Sequence, residues 1–528
     1  MRVPLLYKPG IQRDGTSFQD EYCTDGQWIR FVGGKIKKMN GQREVVSSNA
    51  GVNFTNTKYL FISLDNNLFC IKTDNTLLVG PFDAANAASV APALVNIGNP
   101  DPINNANSRW QAINFIRNTH LCTALLQTYP DANGMLVHSM WWKQNDVAGD
   151  FTNAGIRGAL ANFTGGMIFS APFLFVYGKN GMVYWSRNNN PLDFSVAANS
   201  VAVTTGEDVL FGALVRGGTN SPSLLFWTAN SVVYFTNTAG QALVLNFQRE
   251  IITRNSSLIS PNAVVQYDSL FFWLGTDRIF VYNGIVDSIP NAINLEYFFY
   301  NVDLAKRNKI YGYKVARYGE IRWAYPEIAN QGNPGIGCTR ELVYNVRENS
   351  WYDTAIRRDC VTYRPSTGGI YSYGEAASNY PFNALNSYSG LWQHEIGTDE
   401  IRRNAVVPIP SYFCTPWYGL AAFNPTKSGN AIDKYIVLDQ IEPDFPSFDA
   451  RTPADVLTIT IYGLKYASRG QMPLPLGNPV NFNLQDANQY TGKIDFMVSA
   501  RFIQIRFDTV SSYVVGNVLL NFKEGDGQ

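Results

Sequence analysis

Paired aromatic strands that recur along the chain constrain its fold more than any other feature. In the segment 171–194, Phe173–Tyr177 is apolar on both faces, Lys179–Gly181 supplies a turn, and Met182–Trp185 forms a second apolar strand. Asn and Gly tolerate the positive φ of a tight turn, and aromatic and β-branched residues favour a pleated surface. A hairpin that is apolar on both faces must pack between similar units, so the pattern predicts a repeat.

Similar hairpins lie at 60–71, 224–235 and 270–282, and weaker copies lie at 135–142, 341–351 and 370–394. Equivalent residues just after the turns, Val137, Val183, Val232 and Ile279, recur about every fifty residues. One strong hairpin per interval of this length is typical of the blades of a β-propeller. We therefore predict an all-β chain whose main domain is a β-propeller of six to eight blades, with seven favoured.

The predicted organisation has three parts. Residues 1–50 form an N-terminal arm and a hairpin that joins the propeller, and residues 51–428 form the propeller, with insertions near 81–109 and 326–338. A linker is predicted near 424–433, and a short helix over 296–309. In 429–528, Ile503, Ile505 and Phe507 alternate with polar residues, which predicts a small C-terminal antiparallel β-sandwich.

Composition excludes several classes of protein. The net charge is zero, charged residues make up 16% of the chain and aromatic residues 14%, which argues against disorder and against wrapping nucleic acid by bulk charge. No window approaches the roughly 18 continuous apolar residues of a membrane span. The six cysteines are scattered without metal-binding spacing, which favours free thiols in a reducing compartment. We expect a soluble protein made in a cytoplasm.

The sequence offers little support for catalysis. Its three histidines, His120, His138 and His394, lie far apart, and nucleophile-elbow, phosphate-loop and dinucleotide motifs are absent. Some propellers are glycosidases that use paired carboxylates. The acids near the hairpin ends occupy no common position in the repeat: Asp65, Asp277, Asp353 and Glu375. We predict no catalytic, cofactor-binding or metal-binding residue, and expect that the chain is not an enzyme.

A basic hairpin follows the N-terminal arm. The strands 27–32 and 35–39 flank Gly33-Gly34, a good two-residue turn. Arg30, Lys35, Lys37 and Lys38 form a candidate basic interface face. One interpretation is a solvated strand face that discourages pairing with other chains. The other is a surface that contacts phosphate or an acidic partner.

Several segments together give a resemblance to a known family. They are GQWIRFVGGKIKKMNG at 26–41, VYWSRNNNPLDF at 183–194, RIFVYNG at 278–284, IRWAYP at 321–326, LVYNVRENSWYD at 342–353 and SARFIQIRFDTVSSYVVGNVLLNF at 499–522. The chain resembles the tail hub or nozzle proteins of short-tailed bacteriophages, which include the packaged-DNA stabilisation proteins. The resemblance spans the whole chain through loose motifs of aromatic strand and turn. The segment 372–432 departs from the family's pattern, because its hairpin period is hard to follow.

The resemblance implies a structural virion protein without cofactors. It would form a ring, expected to be a hexamer, below the adaptor that connects head to tail, and the ring would continue the DNA ejection channel. The expected partners are other copies of the chain, the adaptor, a tail needle, plug or fibre protein, and viral DNA passing through the lumen. The implied location is the virion tail, assembled in the cytoplasm of a bacterial host. Scarce charge and abundant tyrosine fit large permanent interfaces.

Two alternatives remain open from the residues alone. One is a carbohydrate-active or glycan-binding propeller enzyme with a sugar-binding C-terminal domain. The other is a monomeric propeller that serves as a scaffold for a protein partner. Cleavage of a defined glycan would favour the first alternative, and the mass of the assembled form separates the second from a ring.

Overall fold

Antiparallel strands dominate the chain. The structure is a computed structural model. It describes residues 2–14, 21–49, 51–74, 76–82, 88–90, 93–95, 108–133, 135–147, 151–153, 163–188, 190–215, 222–239, 245–289, 294–330, 337–381, 388–420, 434–446, 456–465, 473–484 and 492–525. The only α-helix whose bounds these residues define is Leu295–Asn301. Single 3-10 turns lie at Lys179–Gly181, Pro261–Ala263, Leu304–Lys309, Ala316–Tyr318, Ile328–Asn330 and Ala377–Asn379.

Five separate four-stranded sheets follow one another along the chain. In each, the four strands pair antiparallel in chain order. The first comprises Thr57–Ile62, Asn67–Lys72, Leu77–Pro81 and Ala93–Val95; the second Arg109–Arg117, His120–Pro130, Leu136–Gln144 and Thr152–Asn153; the third Gly166–Ser170, Phe173–Tyr177, Met182–Trp185 and Ser200–Ala202; the fourth Phe211–Leu214, Ser223–Trp227, Val232–Asn237 and Phe247–Thr253; the fifth Val265–Tyr267, Leu270–Leu274, Ile279–Tyr282 and Val286–Ser288.

A nine-stranded sheet follows the five smaller sheets. In order of pairing, its strands are Tyr311–Val315, Glu320–Tyr325, Cys338–Asn345, Ser350–Tyr363, Ile370–Glu375, Ser389–His394, Gln42–Glu44, Glu400–Arg402 and Ala405–Val407. The long strand Ser350–Tyr363 changes register between Arg358 and Cys360. N-terminal Gln42–Glu44 pairs antiparallel with Ser389–His394 and parallel with Glu400–Arg402. An N-terminal strand thus sits among strands more than three hundred residues later in the chain.

Shared cores close the sheets into a propeller. The rings of Trp227 and Trp273 lie 5.7 Å apart between the fourth and fifth sheets. The nine-stranded sheet packs on the fifth at one end, and near Tyr371 it shares a core with Leu60 of the first sheet. Each sheet is therefore covered on both faces, as hairpins with two apolar faces require. The chain is an all-β propeller; its blade number stays a prediction.

The N-terminal residues also pair with strands near the C-terminus. One antiparallel sheet has the order Arg2–Pro4, Leu519–Gly525, Tyr435–Glu442 and Ile494–Ala500. The other has the order Asp25–Gln27, Ser411–Cys414, Phe502–Thr509 and Val456–Leu464, and the last of these also pairs with Leu474–Pro475 and Val480–Asn483. Three short two-stranded sheets pair Lys8–Ile11 with Tyr22–Cys23, Ile29–Val32 with Lys35–Lys38, and Val46–Ser47 with Ser89–Val90.

One buried core contains residues of both larger C-terminal sheets. Leu438 and Leu520 of one sheet and Ile461 and Ile505 of the other belong to it. Tyr352 of the nine-stranded sheet belongs to the same core, so the propeller and the C-terminal strands are packed together. The predicted sandwich and domain boundaries stay predictions. The linker predicted at 424–433 and most of the insertion at 81–109 lie outside the described residues, as does the segment 331–336 of the second insertion.

The four strong hairpins predicted from the sequence are confirmed in position. The weaker copy predicted at 135–142 is wrong as a hairpin, because it lies in the single strand Leu136–Gln144, which pairs with the preceding strand His120–Pro130. Phe173–Tyr177 pairs with Met182–Trp185, and Asn180 and Gly181 in the turn have φ of 57° and 72°. The helix predicted over 296–309 is α-helical only as far as Asn301. It stops there because Val302 forms a bridge with Glu327 on the neighbouring segment, and a 3-10 turn begins at Leu304.

Gly33→Ala tests the turn of the basic hairpin. Gly33 has φ of 58°, and an added Cβ would meet no atom within 4 Å. We therefore expect a loss of about 1 kcal/mol in the free energy of unfolding from backbone conformation alone. Gly492→Ala is the matched control, since Gly492 also has open space but no positive φ. Urea unfolding measures both, and equal stabilities would contradict the turn geometry.

Candidate functional site at the hairpin junction

The basic hairpin is fixed against the propeller at its tip and along its length. Glu348 accepts hydrogen bonds from the backbone N–H groups of Gly33 (2.8 Å) and Gly34 (3.1 Å). The side-chain amide of Asn345 donates to the carbonyl oxygen of Phe31 (3.3 Å). Both Asn345 and Glu348 lie at the turn that follows the strand Cys338–Asn345. The turn that contains Glu348 therefore caps the Gly33–Gly34 turn of the basic hairpin.

Arg30 lies at the centre of this junction and is fully buried. Its Nη1 and Nη2 donate to the two carboxylate oxygens of Glu395, at 2.9 and 2.6 Å, and its Nε lies 3.0 Å from Oε1 of Glu320. The guanidinium also stacks on the ring of Tyr318, with Cζ 3.8 Å from the ring centroid. Bidentate pairing and stacking are the contacts for which arginine is better suited than lysine.

The network continues along the strand Glu320–Tyr325. Arg322 donates from Nη2 and Nε to Oε2 of Glu320, at 2.6 and 2.9 Å, and from Nη1 to Oε2 of Glu341, at 3.3 Å. The hydroxyl of Tyr352 donates to Glu320 at 2.8 Å, and that of Tyr313 donates to Glu341 at 2.7 Å. Two arginines and three glutamates, with the tyrosines, thus share one interior network.

The charges in this network keep one another ionised. Burial by itself would raise the pKa of Glu320, but the guanidinium groups of Arg30 and Arg322 hold it below its usual value. Burial disfavours the Arg30 cation, yet Glu320 and Glu395 outweigh this effect and raise its pKa. Breaking a buried pair of this kind leaves an uncompensated charge. The arrangement therefore ties the hairpin to the propeller.

The structure separates the four residues of the candidate basic interface face. Arg30 is in the interior network, and Lys38 is also buried, with Nζ donating to the carbonyl oxygen of Val510. Lys35 is exposed and Lys37 half-buried. Arg30 pairs with Lys37 across the hairpin, so these two side chains lie on one face, and Lys38 lies on the other. Arg30 is buried on its face because Tyr318, Glu320 and Glu395 contact it. Lys35 and Lys37 are the two that stay available to a partner.

A second ion cluster anchors the N-terminal arm. Arg13 contacts Asp353 through Nε (3.0 Å) and Asp25 through Nη1 (2.8 Å), and Arg340 contacts Asp353 through Nη1 (2.5 Å). Burial alone would raise the pKa of Asp353, but the two arginines lower it. The ring of Tyr297 lies between them, 5.7 and 5.8 Å from their guanidinium carbons. The arm is thereby attached to the strand Ser350–Tyr363.

The residues screened for catalysis do not converge. Asp65 bonds to Ser63 and Asn67 within its own turn, Asp277 pairs with its neighbour Arg278, and Glu375 pairs with Arg357. The three histidines are also apart: His120 lies 3.3 Å from Asp146, His138 contacts Phe163, and Nε2 of His394 lies 2.5 Å from the hydroxyl of Ser372. Within the described ranges, His, Cys, Asp and Glu form no group able to hold a metal ion.

Asp359 is a half-buried carboxylate. It lies at the register shift of the strand Ser350–Tyr363, and its Oδ1 occupies the place where a Cβ on Gly337 would be. It forms no ion pair with any residue that the structure describes. Burial raises its pKa to about 6, above the ordinary 3.8, although three nearby cations oppose the shift: Lys309, Arg357 and Arg358.

Asp359→Asn is therefore expected to stabilise the protein at neutral pH. Because the folded-state pKa is above the unfolded one, stability conferred by the protonated carboxyl is lost as pH rises from 3.8 to about 6. The variant should gain about 2–3 kcal/mol in the free energy of unfolding above that range, and little below it. Urea unfolding of both proteins at neutral and acidic pH checks this. The same gain at both pH values would contradict the assignment.

The sequence motifs did not point to the charged residues on the propeller side of the junction. Glu320 and Arg322 are the charged residues of the strand Glu320–Tyr325, whose other residues are aromatic or aliphatic. A charge on a strand that is otherwise apolar is a signal for a buried pair, since an unpaired charge is expensive in an interior. The partner of each charge could not be read from the sequence, because Arg30 and Glu320 are nearly three hundred residues apart.

Comparisons with known proteins bear on the fold alone. No family model matches the sequence, and the comparison with curated proteins gives no match. A solved structure described as YCF48 bound to D1 peptide is similar with a TM-score of 0.35 and 10% identity, covering 65% of this chain and 94% of that chain. The Dos1 propeller is similar with a TM-score of 0.32 and 10% identity, covering 64% of this chain and 81% of that chain. The RRP9 WD40 repeats are similar with a TM-score of 0.32 and 7% identity, covering 68% of this chain and 99% of that chain. Among the described helices, none is long and apolar enough to cross a membrane.

Proposed function

We propose that the chain is a structural component of the tail of a short-tailed bacteriophage, a hub or nozzle that forms a ring with other copies of itself. One observation carries the proposal. Three segments that resemble this family, 26–41, 321–326 and 342–353, meet at one place, the hairpin junction. Arg30 and Arg322 share the buried network, and Glu348 caps the Gly33–Gly34 turn. The family-like residues thus serve as a shared structural joint.

The chemistry of the junction supports a structural role. Glu320, Glu341 and Glu395 are each engaged by arginine in the interior, so their charges are used in holding strands together. A closed propeller offers few free sheet edges and makes a rigid unit suited to building a ring. In the proposed ring, the expected hexamer would adjoin the adaptor, carry a needle, plug or fibre protein, and continue the path of the DNA.

Labelling of native particles tests the proposal. An antibody raised against the purified chain should bind the tail of short-tailed particles from the source, and should fail to bind particles assembled without the chain. Light scattering of the tail assembly released from those particles should give this component a mass of about six times 58.9 kDa. Labelling of the capsid alone, or of no virion component, would overturn the proposal.

A further inference from the structure

A group of four cations surrounds the tip of the basic hairpin. Lys35 and Lys37 come from the hairpin itself, Arg317 from the 3-10 turn Ala316–Tyr318, and Arg347 from the turn after Asn345. Lys35, Arg317 and Arg347 are exposed, and Lys37 is half-buried. We call these four residues the basic patch. Arg317 and Arg347 lie far from the hairpin in sequence and are brought to it by the fold.

The patch is held together around one aromatic ring. Nζ of Lys37 lies 6.0 Å from the ring centroid of Tyr318, and Cζ of Arg317 lies 5.4 Å from it. Arg347 donates from Nη1 to the carbonyl oxygen of Arg317 (2.9 Å) and from Nη2 to that of Ala316 (3.0 Å). Since the buried Arg30 stacks on the same ring, the interior network also positions the surface patch.

The positive charge of the patch is only partly compensated. Neither Lys35, Lys37, Arg317 nor Arg347 forms an ion pair with a residue in the described ranges. The nearest carboxylate of the hairpin tip, Glu348, accepts hydrogen bonds from the backbone of Gly33 and Gly34. The patch therefore has three exposed cations and one half-buried cation against a single carboxylate at the hairpin tip. Such a local field attracts an anionic partner and steers its approach.

We propose that the basic patch binds an acidic surface of a partner protein. Two observations favour protein over nucleic acid. The chain as a whole has no net positive charge, whereas proteins that bind nucleic acid through phosphates carry a broad basic surface. The patch also includes apolar surface, because Val32 is 39% exposed and the ring of Tyr318 is half-buried. Arginine and tyrosine beside an apolar side chain are characteristic of protein interfaces. The inference does not depend on the tail proposal.

Fluorescence anisotropy with the full chain tests this inference, with an oligo-glutamate peptide as the probe and a short DNA duplex as the comparison. We expect the peptide to bind, with an affinity that falls as salt rises. The double variant Lys35→Glu/Arg317→Glu should weaken binding by about tenfold or more. The matched control, Arg254→Glu/Arg307→Glu, reverses two exposed cations outside the patch and should bind as the unmodified protein does.

The thermal unfolding midpoint of each variant checks that the fold is kept. If charge reversal lowers it, Lys35→Gln/Arg317→Gln removes the charges without adding new ones, and the same loss of peptide binding is expected. Three outcomes would overturn the inference. They are no peptide binding by the unmodified protein, equal weakening in the control variant, and tighter binding of the duplex than of the peptide through the same four cations.

Discussion

Arg30→Ala is expected to lower the free energy of unfolding by about 3–5 kcal/mol, the range for breaking a buried ion pair from one side. Removal of the guanidinium leaves the half-buried Glu395 without its bidentate partner, and Arg322 lies 3.6 Å away as the nearest described replacement. Glu320 would retain Arg322 and Tyr352. The loss therefore comes mainly from one uncompensated carboxylate.

A double variant that removes both charges isolates this effect. Arg30→Met/Glu395→Leu replaces both charges with apolar groups and should recover most of the stability lost in the single variant. Lys35→Ala, an exposed residue of the same hairpin, should change the free energy of unfolding by less than about 0.5 kcal/mol. Urea unfolding measures all four proteins. A loss in Arg30→Ala that matches the small change in Lys35→Ala would show that the junction charges are hydrated.

Trp185→Ala is expected to cost about 3–5 kcal/mol, as for other large buried aromatics. The side chain is only 5% exposed and belongs to the core between the third and fourth sheets. Its ring lies 5.1 Å from that of Phe247 in an edge-to-face arrangement and 6.5 Å from that of Phe175. Truncation opens a cavity between two sheets that cannot approach each other without disturbing their other neighbours.

Tyr300→Ala is the matched control for this prediction. Tyr300 is also aromatic but 83% exposed, so its removal should change the free energy of unfolding by less than about 0.5 kcal/mol. Urea unfolding and the thermal midpoint measure both variants. A change below about 1 kcal/mol for Trp185→Ala would contradict the packing of the central hairpin between two sheets.

Both predictions concern contacts between separate sheets or strands, but the two contacts differ in kind. Trp185 fills space between sheets that are neighbours in sequence, so a similar apolar side chain would serve in its place. Arg30 joins the N-terminal hairpin to strands nearly three hundred residues later and requires particular partners at particular distances. Loss of Arg30 is therefore also expected to loosen Gln42–Glu44, the N-terminal strand that completes the nine-stranded sheet.

The sequence by itself determined the strong repeating hairpins and the all-β propeller. These follow from local information, because the turn at Asn180–Gly181 and the aromatic strands on either side of it are specified within a dozen residues of chain. The separation of Arg30 and Lys38 from Lys35 and Lys37 was decided by tertiary structure. Arg30 lies on the same face of the hairpin as Lys37, so its burial comes from Glu320 and Glu395 rather than from strand alternation. Lys38 is held on the other face by Val510. No local pattern near residue 30 encodes where those partners lie.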